Sequence, residues 1–106
     1  MDDMTLRLIE VPVARLVRAF APSKIVLFGS YADGSQGHGS DIDLLVVTDA
    51  AGQLEASARR ARQLVASNFP PVDVVLCTPT DATTAHQAQS PFLQSILENG
   101  ITVYPT

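Results

Sequence analysis

Phe28-Gly29-Ser30-Tyr31-Ala32-Asp33-Gly34 and, after a short polar run, Ser40-Asp41-Ile42-Asp43-Leu44-Leu45-Val46-Val47 form the most informative segment of this chain. A glycine–serine turn follows one apolar run, and two carboxylates alternate at the mouth of another. Gly29 has no Cβ, so the backbone can approach a phosphate closely and adopt unusual dihedrals. Ser30 offers a hydroxyl and a backbone N–H, and a helix beginning here would aim further unpaired N–H groups at an anion. Asp41 and Asp43 are two apart, which on a strand puts both on one face. Magnesium takes oxygen ligands, usually one or two carboxylates together with substrate phosphates. Two such ions about 4 Å apart clamp the attacking and leaving oxygens of an in-line displacement. The segment therefore has the means to hold a nucleoside triphosphate and its magnesium ions.

Two like charges so close need a reason. At an effective dielectric near 20, unit charges about 4 Å apart repel by about 4 kcal/mol. A bound dication relieves that repulsion; otherwise a carboxylate stays solvated or takes up a proton. Asp-x-Asp alone is also compatible with an ordinary turn leading into a strand. The upstream Gly29-Ser30, with each half beside a strand-like run, favours the functional reading. Val72-Asp73-Val74-Val75-Leu76-Cys77 reads as a buried strand with one charge in it. Asp is depleted in strands, and an unpaired buried carboxylate is unfavourable. Asp73 is either a metal ligand or general base, or a residue after Pro70-Pro71 that points to solvent. If its strand lies beside Ile42 to Val47, Asp73 joins Asp41 and Asp43.

These residues resemble the DNA polymerase β-like nucleotidyltransferase superfamily, whose motif is Gly-Ser, about ten residues, Asp-x-Asp and a third Asp on a later strand. Its short branch, the minimal nucleotidyltransferases, is matched almost letter for letter by Ile25 to Ala32 and Ser40 to Val46, and the resemblance runs well from Ser23 to Cys77. It implies an α+β fold, a small mixed β-sheet with helices packed on one face. It implies that Gly29 and Ser30 hold the donor's phosphates and that Asp41 and Asp43 bind two Mg2+ ions. Asp73 would be the third carboxylate, binding the second ion and helping to deprotonate the acceptor hydroxyl. Similar proteins often serve as antitoxins, paired with an all-helical HEPN ribonuclease toxin, and transfer AMP from ATP to a toxin tyrosine. One departure stands out. Many relatives carry Arg where this chain has Asp33, which cannot pair with phosphate and puts donor affinity and rate in doubt.

Composition sets bounds. The 106 residues predict one domain, 1–106, with a real but small core. A net charge of −4 does not advertise broad nucleic-acid binding, and a template-reading polymerase would need a basic groove. The lone Cys77 excludes an internal disulfide and a cysteine-based zinc site and reads as a small buried apolar residue. No run reaches transmembrane length. The acidic start Met1-Asp2-Asp3-Met4 lacks a signal peptide's basic region, so no membrane association and a cytoplasmic location are expected.

The coarse layout fits. Val13 to Phe20 reads as the body of a first helix, beginning or breaking at Pro12, with residues 5–10 able to form a separate turn. Lys24 to Phe28 is a strand. Tyr31 to Gly34 makes a short helical turn, followed by a glycine-rich loop to Gly39. Ile42 to Thr48 is the second strand. Gln53 to Asn68 is helical, with Leu54, Ala58, Ala61 and Val65 as its stripe. Val72 to Cys77 is the third strand. Ser90 and Pro91 open a helix closed by Gly100, and Ile101 to Tyr104 adds an edge strand.

Arg59, Arg60 and Arg62 could contact phosphate or a partner, but a solvated helix face is the simpler account of them. His38 sits in the loop near the site, and His86 has no assigned role. Tyr31 either packs beneath the glycine–serine turn or stacks on a base. Three functions follow: AMP transfer from ATP to a hydroxyl, above all a tyrosine of a HEPN partner; nucleotidylation of a small molecule, for which relatives usually carry an extra helical domain; or a non-catalytic module that neutralises its partner by covering it.

Overall fold

In the computed structural model, which describes residues 2–37, 39–49, 53–84 and 90–105 (Leu54 in its backbone only), the first helix α1 (Asp3–Phe20) begins at Asp2, whose carboxylate accepts the Thr5 backbone N–H at 2.7 Å. Pro12 lies inside α1, which runs unbroken through it. This corrects the expectation of a break. Proline removes one intrahelical hydrogen bond, yet Thr5, Ile9, Pro12, Leu16 and Phe20 form one buried stripe, and packing of such a stripe outweighs local propensity. Asp2→Ala is expected to lower the thermal midpoint at pH 7. Hydrogen bonds from the Thr5 backbone and side chain hold the Asp2 carboxyl below its ordinary value. Their stabilisation is therefore present above the usual carboxylate range and is lost as pH falls through the lowered value. Thermal unfolding followed by circular dichroism should show the deficit shrinking in acid; an equal deficit at both pH values would contradict the capping role.

Ala21 ends α1 in the left-handed region (φ 44°), its N–H bonded to Val17 O at 2.9 Å. The chain enters β1 (Lys24–Phe28), the short helix α2 (Ser30–Asp33), β2 (Ile42–Val47), α3 (Leu54–Val65), β3 (Val72–Cys77), α4 (Pro79–Thr83), α5 (Pro91–Asn99) and β4 (Ile101–Tyr104). The helix expected to reach Asn68 stops at Val65, where Asn68 donates its N–H to Val65 O and its side-chain amide to Pro70 O, turning the chain towards β3. Ser90 precedes α5 but its side chain makes no capping bond.

The described strands form one mixed sheet in the order β3-β2-β1-β4. β1 is antiparallel to β2 and β4, and β2 is parallel to β3 across the α3 crossover, as a helix-long connection allows. The result is the expected compact α+β fold, with the long helices α1 and α3 packed on one face. Ile25, Leu27, Ile42, Leu44 and Val46 meet Ile9, Leu16, Phe20, Ala61 and Val65 there. Alternation sends Val26, Leu45, Val47 and Cys77 to the other face, where the short α5 covers them with Ile96 and, at the margin, Leu93 and Leu97. Thr48 Oγ1 donates to Phe20 O at 2.9 Å, fastening the end of β2 to the end of α1.

Candidate active site

The face partly covered by α5 is the one that carries the acids. Asp43 is directly opposite Phe28 of β1 and in register with Asp73 of β3. Registered neighbours point to the same side of a sheet, so the two carboxylates and the Phe28 ring form one row across three strands. Asp41, just before β2, is solvent-exposed and close enough for its charge to act on Asp43. The Asp43 carboxyl is raised above its ordinary value, first by burial, then by the charge of Asp73, then by that of Asp41. Asp43 and Asp73 thus share one end and one face of the sheet, with Asp41 beside that end, just outside β2. Their convergence is nonetheless partial: among the described residues no three acidic, histidine or cysteine side chains are drawn into a formed metal cage.

Gly29 fits against this row. Its backbone (φ 75°, ψ −154°) lies in a region reserved in practice for glycine, and a Cβ there would collide with Asp43 Oδ2. The small-residue cradle and the acids are therefore one structural unit. Gly29 O accepts the N–H groups of Ala32 and Asp33 at 3.0 and 3.2 Å, leaving the amides of Ser30 and Tyr31 ahead of the first helical bonds. Tyr31 is half-buried against the α1–α3 core, which favours packing over base stacking. Asp33 is exposed, and its Oδ1 accepts the Ser35 N–H at 2.8 Å. Bonds from the Ser35 side chain and then its backbone hold the Asp33 carboxyl below its ordinary value. Its local duty is to close the turn after α2.

The remaining candidates sort readily. Arg59, Arg60 and Arg62 are all exposed along α3. Cys77 is buried, and burial, with a smaller contribution from Asp81, pushes its thiol up to about 11, which suits an inert packing residue. His38 and His86 lie outside the described residues. A groove of about 950 Å³ lies between α1 and β4, but it opens on the α1 side of the sheet, away from the acids.

A family model described as "Nucleotidyltransferase domain" matches residues 13–102, from within α1 to β4. The chain belongs to the nucleotidyltransferase domain family. It is, by that membership, an enzyme of nucleotidyl transfer. Among solved structures, the nucleotidyltransferase domain is similar to a chain of a toxin–antitoxin crystal structure with AMP-PNP, at 26% identity and a TM-score of 0.51, covering 90% of this chain and 72% of that one. No curated protein matches. No described helix is long and apolar enough to cross a membrane.

Two residues of this nucleotidyltransferase escape a motif reading. Phe28 stands beside Asp43, and its ring meets that of Phe92 edge-on, 6.0 Å between centroids and 87° between planes. Phe92 is 60% exposed. Its position beside β1 is a product of the chain's return from β3 through α5, which no local pattern encodes. Phe28 had a signal, as the last apolar residue before Gly29 and on the parity of Val26.

Proposed function

We propose that residues 1–106 act as one domain that transfers AMP from ATP to a hydroxyl group, and that the acceptor is a tyrosine of a partner toxin of the all-helical HEPN class, which the transfer silences. The observation that carries the reading is the registered row Asp43–Asp73, with Asp41 alongside and Gly29 seated against it. The similarity to a toxin–antitoxin chain solved with AMP-PNP supports both the donor and the antitoxin role.

Magnesium suits this donor set. The side chains are hard oxygen donors, burial and then the charges of Asp73 and Asp41 raise Asp43, and Gly29 leaves the space a Cβ would fill. Asp41 and Asp43, with Asp73 for a second ion, would hold it, and phosphates and water would complete the coordination that two carboxylates leave open. When bound, the metal supplies neutralising charge to the phosphates. Gly29 and Ser30 bring backbone and hydroxyl to the triphosphate. Asp73, at the open end of β3, orients the acceptor hydroxyl and takes its proton. The acceptor oxygen bonds to the α-phosphorus as the bond to the β-phosphate oxygen breaks, and pyrophosphate leaves. Positioning and electrostatics account for most of the acceleration in such a step.

Intact-mass spectrometry of the protein incubated with ATP, magnesium and the product of the adjacent gene tests this. One or more added AMP units on the partner, mapped to a tyrosine, are expected. A tight complex with no mass gain would replace transfer with neutralisation by cover, and AMP found only on small hydroxylated compounds would replace the protein acceptor.

A further inference from the structure

We infer that the cleft between α2 and α5 takes the nucleobase of the donor, a purine bearing an amino group, with Phe92 as its stacking platform. The inference rests on the nucleotidyl-transfer reading above and adds to it how the base is chosen.

The cleft measures about 560 Å³ and is lined by Phe28, Gly29, Asp33, Phe92, Ser95 and Asn99, among others. Its volume falls within the range of small-ligand sites, roughly 300–1,000 Å³. It is continuous with the acids, because Gly29 forms part of its wall and also abuts the Asp43 carboxylate. A nucleotide with its phosphates at Gly29 and Ser30 has this cleft beside it on the α5 side, with Gly29 as their shared wall.

The lining has the composition a base requires. Phe92 leaves 60% of its surface in solvent while its ring is braced edge-on against Phe28. A large, oriented and unburied aromatic ring is a stacking surface for a flat heterocycle. Phe92, Ser95 and Asn99 recur at helical spacing on α5, so an aromatic face and two polar groups point the same way. Asn99 Nδ2 donates to Ser95 O at 3.2 Å and Ser95 Oγ at 3.4 Å, which leaves the Ser95 hydroxyl proton free to be donated to a ring nitrogen. Across the cleft, Asp33 accepts from Ser35 and, as an exposed carboxylate, meets a ligand only as an acceptor. An exocyclic amino group satisfies that acceptor, whereas the carbonyls of uracil oppose it. Asp33, anomalous as a phosphate ligand, is thus suited to a base edge.

The test is steady-state transfer with ATP, together with inhibition by inorganic tripolyphosphate, which has no base. Phe92→Ala should raise KM for ATP about tenfold, the loss of one stacked base at about 1–3 kcal/mol, and more than it changes kcat. Phe92→Tyr should restore it. Inhibition by tripolyphosphate should be the same in parent and variant, and UTP should compete with ATP poorly. An unchanged KM, or an equal weakening of tripolyphosphate, would overturn the assignment, as would UTP competing on a par with ATP. Fluorescence of 2-aminopurine riboside triphosphate separates this from the transfer reading. Quenching that Phe92→Ala removes upholds the base site even in a chain that transfers nothing; absence of quenching with transfer intact removes the base site alone.

Discussion

Asp41→Asn combined with Asp43→Asn is expected to reduce nucleotidyl transfer by a factor on the order of 10³ or more, since several kcal/mol of charge stabilisation depend on a metal–carboxylate site and each 1.36 kcal/mol is about tenfold in rate. The same double variant should fold at least as well as the parent. Ile42 and Leu44, on the intervening parity, stay buried against α1 and α3, and neither the Asp41 nor the Asp43 side chain braces the sheet by a hydrogen bond to another described residue. Asp43 is instead a source of repulsion: burial, Asp73 and Asp41 raise its carboxyl above the ordinary value. A raised folded-state value means that the folded chain favours the protonated form. The relative stability is present below the unfolded carboxylate's range and is lost as pH rises through the folded value. The asparagine variant escapes that loss, so without metal its thermal midpoint should equal or exceed the parent's at pH 7 and the gain should vanish in acid. Transfer assays beside a pH series of thermal melts check both halves. Transfer surviving in a folded double variant would take these acids out of the chemistry, and a melting point that drops at pH 7 would mean that they brace the fold.

The parts legible in the sequence are those written in local periodicity. Asp43 alternates with buried Ile42 and Leu44, and Asp73 alternates along Val72 to Cys77, so their faces follow from strand geometry alone, whereas Asp41 lies just outside β2. The strand bounds at Lys24–Phe28 and Val72–Cys77 match, because apolar runs between turn residues leave little choice. Register was not legible: that Asp43 faces Asp73 and Phe28 depends on a crossover and a loop whose lengths permit several pairings. Pro12 misleads because its local effect on a helix is overridden by burial of the whole α1 stripe. The helix α4 was hidden in a polar stretch, yet Thr78 and Asp81 form a reciprocal capping box, with Asp81 N–H donating to Thr78 Oγ1 at 3.0 Å and Thr78 N–H to Asp81 Oδ2 at 3.1 Å. That signature is readable from Thr-x-x-Asp with Pro79 at the first helical position. Gly100 does close α5, its N–H bonded to Ile96 O, but its φ of −76° is open to any residue. Its requirement is space: a Cβ would meet Ile96 O at 2.6 Å and Leu27 O at 3.0 Å, a contact between elements that sequence spacing does not reveal.

Gly29→Ala is expected to lose stability and activity together, and Gly34→Ala is the control that shows why. Both glycines have positive φ, 75° and 81°. Alanine at either place is strained, more so at Gly29, whose ψ of −154° puts it in a region where such backbone costs about 1–3 kcal/mol. Their surroundings differ. A Cβ on Gly34 would meet nothing within 4 Å, whereas one on Gly29 would enter the Asp43 carboxylate. That carboxylate would have to turn away, in a row that already holds Phe28 on one side and like-charged Asp73 on the other. Moving it would separate the registered pair and narrow the ground a phosphate must occupy. Urea unfolding should therefore show both variants weakened, while transfer at a temperature where each remains folded should fall at least tenfold only in Gly29→Ala, the order of effect produced by about 1.4 kcal/mol at the transition state. Equal activity losses in the two variants would trace the effect to backbone strain around α2. Full activity in folded Gly29→Ala would detach the glycine cradle from the carboxylates, and with it the reading of this end of the sheet as one site.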